Sequence, residues 1–190
     1  MTVKGRLFVV SAPSGAGKTT LCNLLLHHFT TMRYSISSTT RKPRPGEVDG
    51  IDYFFVEKQV FKQGIENGMW AECAQVHGNY YGTSADFLEA ELDKGADILL
   101  DIDVQGALQI MEKFDDAVTI FIMPPDFDTL RLRLESRGTD SPAVIETRMA
   151  NAEKEMAMRG RYQHIIINDN LEDAEKEFIG LVNACRADKL

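Results

Sequence analysis

The stretch Leu7-Phe8-Val9-Val10-Ser11-Ala12-Pro13-Ser14-Gly15-Ala16-Gly17-Lys18-Thr19-Thr20-Leu21 decides the fold class. Its first four residues form an unbroken apolar run, as a strand buried on both faces requires. Two glycines then interrupt it. From Lys18 to about Phe29 the periodicity changes: Leu21, Leu24 and Leu25 share a helical stripe that Cys22, Leu26 and Phe29 widen. The spacing predicts a helix covered on most of its sides. Strand, glycine turn and helix in that order open an α/β domain.

The turn carries chemistry. Residues 12–19 follow the Walker A pattern, with Ala12 where that pattern has its first glycine. Gly15 and Gly17 let the backbone turn tightly enough to aim N–H groups at phosphate oxygens, and the helix behind them adds the positive end of its dipole. An ATP site is expected along Ala12, Pro13, Ser14, Gly15, Ala16, Gly17, Lys18, Thr19 and Thr20. Lys18 would reach the β- and γ-phosphates and act in catalysis, and the Thr19 hydroxyl would ligate Mg²⁺. The plainer alternative is a glycine-rich turn with Lys18 solvated. Further on, Asp101 ends the apolar run Ile98-Leu99-Leu100, where a carboxylate would hold Mg²⁺ through water. Asp103, two residues later, points to the same side of an extended chain, or else caps the helix after it.

Composition bounds the partners. A chain of 190 residues with net charge −8 is long enough for one compact domain and unlike a general nucleic-acid binder, which carries a basic face. A nucleotide site needs only a few local arginines. Cys22, Cys73 and Cys185 lie far apart, and His27, His28, His77 and His164 complete no metal-ligand spacing with them. They read as reduced thiols of a cytoplasmic protein, and no leader or membrane-length apolar stretch is expected.

Strand candidates at 34–39, 52–56, 70–76 and 80–83, separated by turn-rich segments, predict a small inserted β lobe, with His77-Gly78-Asn79 closing a hairpin. Ile98–Ile102, Val118–Ile122 and Ile165–Ile167 restore the buried-strand signal. Helices are expected over about 104–114, 126–136, from Ser141-Pro142 onward, and 172–186. The resulting organisation is one domain: a core of about 4–33, 91–125 and 160–190, a lobe of about 34–90 and a helical lid of about 126–159. Flexible points are expected near residues 36 and 90 and at Gly138.

Ser37-Ser38-Thr39-Thr40-Arg41-Lys42-Pro43-Arg44-Pro45-Gly46-Glu47 and Glu72-Cys73-Ala74-Gln75-Val76-His77-Gly78-Asn79-Tyr80-Tyr81-Gly82-Thr83 add a second set of motifs. Together with the phosphate loop, Asp101-Ile102-Asp103 with Gln105-Gly106, Arg137-Gly138-Thr139 and Ile167-Asn168-Asp169, the chain resembles a guanylate kinase over nearly its whole length. The resemblance implies a P-loop parallel-sheet core flanked by helices, an inserted GMP-binding β lobe and a lid that closes over the donor nucleotide. It implies ATP and GMP (with dGMP as a related acceptor) as substrates, Mg²⁺ as cofactor, no nucleic-acid or membrane partner, and leaves a homo-oligomer open. Arg41, Arg44, Tyr53 and Tyr81 match residues that hold the GMP phosphate; Ser37, Glu72 and Thr83 match residues that read the base, with Asp103 nearby. Arg133, Arg137 and Arg148 match arginines on the transferring phosphates, Arg44 joins Arg137 and Arg148 in the catalytic set, and Asn168 matches a contact to adenine.

These residue types suit their roles. Two guanidinium forks in a loop stiffened by Pro43 and Pro45 fit a dianionic monophosphate. The Glu72 carboxylate can accept from both N1–H and the 2-amine of guanine, which adenine does not offer. Arg133 and Arg137 stand one turn apart on a predicted helix along which Phe127, Leu130 and Leu134 form an apolar stripe, while Arg131 reads as a solvated charge. The rival for these arginines is pairing with Glu135 and Glu146. Rival readings of the whole are a kinase for another nucleoside monophosphate and a non-catalytic protein-binding module of the same fold.

Overall fold

The computed structural model describes residues 4–76, 78–136, 138 and 140–187. Strand β1 (Leu7–Ser11) is buried at every position, as its apolar run predicts. Helix α1 (Lys18–His28) buries Leu21, Cys22 and Leu25, and leaves Leu24 and Leu26 partly covered. Short strands β2 (Arg33–Tyr34), β3 (Ser38–Thr39) and β4 (Phe54–Phe55) follow, then α2 (Lys58–Glu66), β5 (Trp70–Val76), β6 (Asn79–Ser84) and α3 (Ala85–Asp93). The chain continues through β7 (Ile98–Asp101), α4 (Val104–Lys113), β8 (Val118–Met123), α5 (Phe127–Ser136), α6 (Pro142–Ala157), a 3₁₀ turn at Met158–Arg161, β9 (His164–Ile167) and α7 (Leu171–Ala187).

A five-stranded sheet runs in the order β2-β7-β1-β8-β9. The registers Arg33↔Ile98, Phe8↔Val118 and Ile120↔His164 are all parallel. Parallel strands need crossover connections, which α1, α4 and the α5–α6 pair supply. The second sheet is mixed, in the order β4-β3-β6-β5: β3 pairs parallel with β4, and β6 pairs antiparallel with both β3 and β5. The expected α/β class with a separate β lobe is what the chain forms.

The chain divides into two compact units. One holds residues up to Leu7, Thr31–Leu100 and Gln105–Ala117; the other holds Phe8–Thr30, Asp101–Val104 and Val118 onward. In the first, Phe61 stacks on Trp70 and Tyr80, with ring centroids 4.4 and 5.4 Å apart. In the second, Leu130 and Leu134 of α5 pack with Ile145, Met149 and Ala152 of α6 into a small two-helix core. Phe127, expected in that stripe, is largely exposed.

Local corrections have local causes. The expected strand over 34–39 is two strands, because β2 joins the parallel sheet and β3 the mixed one. Helices α2 and α3 lie in the segment expected to hold only strands, and residue 90, expected at a hinge, falls inside α3. Ser84 caps α3 by accepting from the Phe87 N–H. Val76 pairs with Asn79 around Gly78 at φ 81°, so the expected hairpin closes; His77 lies outside the described residues. All three cysteines are free thiols. Among the described residues, no helix is long and apolar enough to cross a membrane.

Candidate active site

The phosphate cradle sits where β1 gives way to α1. Gly15 and Gly17 have φ of 99° and 93°, a left-handed backbone that other residues enter only with strain. Neither has room for a side chain: a Cβ on Gly15 would press on Leu130 and Leu134 of α5, and one on Gly17 would collide with the Asn168 amide. Ala16 closes the turn by donating to the Pro13 carbonyl at 3.1 Å. Its own carbonyl accepts from Asn168 Nδ2 at 2.8 Å. Asn168, the residue expected to contact adenine, follows β9 and buckles the loop from a buried position. Ala12, Pro13, Ser14, Thr19 and Thr20 complete the segment, with Ser14, Thr19 and Thr20 exposed.

Lys18 opens α1 and is ion-paired with Asp101 at the end of β7. Burial pulls the Lys18 ammonium below its ordinary range, opposed by negative charge on Asp103 and Glu155. Glu155 of α6 was not anticipated. Burial and then Asp103 push its carboxyl up, while the Ser14 N–H and Lys18 pull it back. Its one sequence signal is a spacing of two helical turns from Arg148. Nearby, Ser11 Oγ donates to the Ile102 carbonyl at 2.9 Å, tying the end of β1 to the segment that carries Asp101 and Asp103.

The arginines of α5 and α6 are engaged within the protein. Arg133 donates to the Asn168 and Asp169 carbonyls at 2.9 and 3.3 Å. Arg148 pairs with Asp140 at 2.9 Å. Arg131, expected to be solvated, instead pairs with Glu146 and links α5 to α6. Arg137 lies outside the described residues.

The first unit gathers the other predicted group. Arg41 bonds both carboxylate oxygens of Glu47, at 2.9 and 2.8 Å, and the Arg44 N–H reaches the same carboxylate at 2.7 Å. The Arg41 hydrogen bond is the main reason the Glu47 carboxyl is held down to about 2. The Arg41 guanidinium lies 5.4 Å from the Tyr53 ring centre, and Tyr53 meets Tyr81 edge-on at 6.0 Å. Arg41, Tyr53 and Tyr81 are therefore together, with Arg44 exposed on the same loop. Burial pushes the Tyr53 hydroxyl up. Ser37, just before β3, accepts from the Phe54 N–H through its carbonyl at 3.0 Å.

Glu72 and Thr83 face each other across β5 and β6. Thr83 Oγ1 donates to Glu72 Oε1 at 2.6 Å, and the two residues are 0% and 3% exposed, Thr83 first. A carboxylate withdrawn that far from water must be held by hydrogen bonds, which makes it a strong reader of donors.

The guanylate kinase profile matches residues 4–184. The chain belongs to the guanylate kinase family. It is 50% identical over 183 residues to the guanylate kinase of Chromohalobacter salexigens, covering 96% of this chain and 85% of that one. The guanylate kinase of Clostridium perfringens (strain 13) is 47% identical over 189 residues, covering 98% and 88%. Among solved structures, the guanylate kinase from Anaplasma phagocytophilum superposes with a TM-score of 0.80 at 34% identity, covering all of this chain and 89% of that one. As a guanylate kinase family member, the chain keeps Lys18 and Thr19 after its glycine turn despite Ala12.

Proposed function

We propose that this protein transfers the γ-phosphoryl group of ATP to GMP, ATP + GMP ⇌ ADP + GDP, in the cytoplasm, supplying the diphosphate for GTP and dGTP synthesis and purine recycling. The observation that carries the reading is Glu72: a buried carboxylate, 2.6 Å from the Thr83 hydroxyl, suited to the paired N1–H and 2-amine of guanine. Adenine offers neither donor, and forgoing those bonds at a buried carboxylate costs about 1–3 kcal/mol, which favours GMP over AMP by roughly 5- to 150-fold.

The acceptor oxygen belongs to a phosphate already ionised near neutral pH, so the reaction needs no dedicated general base. Lys18 and the N–H groups of residues 15–19 would bind and orient the donor phosphates, with Thr20 beside them. Arg41, Arg44, Tyr53 and Tyr81 would hold the GMP phosphate, Ser37, Thr83 and Asp103 would support the base, and Arg133, Arg137 and Arg148 would stabilise charge during transfer. To do so, Arg133 and Arg148 must exchange the Asn168 carbonyl and Asp140 for phosphate, which fits a lid that closes on substrate. Thr19 and Asp101 are hard oxygen donors beside Lys18 and fit Mg²⁺, which when bound neutralises charge on the β- and γ-phosphates.

The test is a coupled assay of ADP formation with ATP and Mg²⁺, offering GMP, AMP, CMP and UMP separately. Turnover with GMP alone is expected. Turnover with another monophosphate in its place would refute the reading of Glu72, and folded protein with no turnover on any acceptor would refute the enzyme reading itself.

A further inference from the structure

Strand β5 is an edge of the mixed sheet, so among the described residues its outer row of N–H and C=O groups has no neighbouring strand. That edge carries Glu72. Its register against β6 is irregular at one place: Trp70 stands opposite Ser84, and Glu72 opposite Thr83. Ala71 is therefore an extra residue, a bulge that reverses the side-chain alternation from that point. Without it Glu72 would face Gly82 and lose its hydroxyl partner; with it Glu72 and Thr83 form a direct cross-strand pair. The base-reading carboxylate depends on one irregularity in an edge strand, and a slip of one residue would turn it to the other face.

Helix α4 holds that irregularity in place. Gln109 accepts from the Cys73 N–H through Oε1 at 3.1 Å and donates Nε2 to the Cys73 carbonyl at 2.8 Å. Its amide thus makes the pair of bonds a neighbouring strand would make. Lys113 Nζ donates to the carbonyl of Ala71, the bulged residue, at 2.6 Å. Gly106, one turn before Gln109, backs the Glu72 carboxylate so closely that any Cβ there would collide with it. Residues 106, 109 and 113 share one helical face, so a single rigid element fixes both neighbours of Glu72 and abuts its carboxylate.

We propose that Gln109, with Lys113, is a positioning residue for guanine recognition: it locks the β5 bulge so that Glu72 is presented to the base. The inference rests on the reading of Glu72 given above. Gln109 reaches the substrate only through Cys73 and Glu72, so its loss acts on base selection.

The test compares GMP with IMP, whose base lacks the 2-amine, in steady-state kinetics of the full chain and of Glu72→Gln, Gln109→Met and Lys113→Met. Methionine keeps the shape of glutamine and removes both hydrogen bonds. Gln109→Met should raise the KM for GMP by about 5- to 20-fold, shrink the GMP-over-IMP preference several-fold, and leave the KM for ATP unchanged. Lys113→Met should move the same quantities in the same direction by less, and gives the reading if Gln109→Met does not fold. A GMP-over-IMP preference eroded by Glu72→Gln and untouched by the other two variants would overturn the positioning role alone. A preference unmoved by Glu72→Gln would overturn the reading of Glu72, and this proposal with it.

Discussion

Replacing Gly17 with alanine tests whether the phosphate cradle is held by the buckle from Asn168. Gly17 is the N-cap of α1 at φ 93°, where an alanine costs about 1–2 kcal/mol of backbone strain. Its new methyl would also collide with the Asn168 amide and drive it off the Ala16 carbonyl. Losing that buried bond adds about 1–3 kcal/mol, so Gly17→Ala should destabilise by roughly 2–5 kcal/mol. Asn168→Ala by itself loses only the bond, about 1–3 kcal/mol. In the double variant the obstacle is already gone, and the total should remain roughly 2–5 kcal/mol. The two single changes should therefore overlap by about 1–3 kcal/mol in a double-mutant cycle. Urea unfolding monitored by circular dichroism, with matching m values, measures it. Additivity within about 0.5 kcal/mol would refute the mechanical link between Gly17 and Asn168.

Two further expectations come from carboxylates displaced in opposite directions. Glu47 is held at about 2 against an ordinary 4.5, so its stabilisation is complete above about 4.5 and fades as pH falls toward 2. Glu47→Gln should flatten that acid limb, and urea midpoints between about pH 5 and 2.5 that fall equally in both proteins would contradict it. Burial raises Glu155 above the ordinary carboxylate range, so its ionisation costs the ligand-free fold stability once pH rises past that range. Glu155→Gln should raise the melting temperature near pH 7, with the gain shrinking as pH falls toward the ordinary carboxylate range; an unchanged or lower value at neutral pH would count against the placement of Glu155 in the cradle.

What could be read from the chain alone was local. β1 and α1 are legible because an apolar run, a glycine turn and a helical stripe each depend on neighbours a few residues away, and Gly15 and Gly17 take the positive φ their sequence context implies. Strand β5 was legible to the residue, Trp70 to Val76, because its boundaries are set by its own side chains. Helix α2 was legible too, in the helical spacing of Val60, Phe61, Gly64 and Ile65, but its segment was expected to hold only strands. Lys18 could be named from its own motif, whereas Arg41 and Glu72 could be named only through the family resemblance that runs along the chain.

Their partners belonged to the tertiary structure. Asn168 meets Ala16 across 152 positions of sequence, and Gln109 meets Cys73 across 36. No local rule reports such distances, because an amide carries the same propensity whether it caps a turn, faces a base or buckles a loop. Nor could sequence show the bulge at Ala71: the alternation of β5 reads the same until β6 fixes the register, and only that pairing turns Glu72 toward Thr83. Residue chemistry named the groups; which polar atom each one satisfies, and hence which way it points, was decided by chain segments brought together when the apolar core closed.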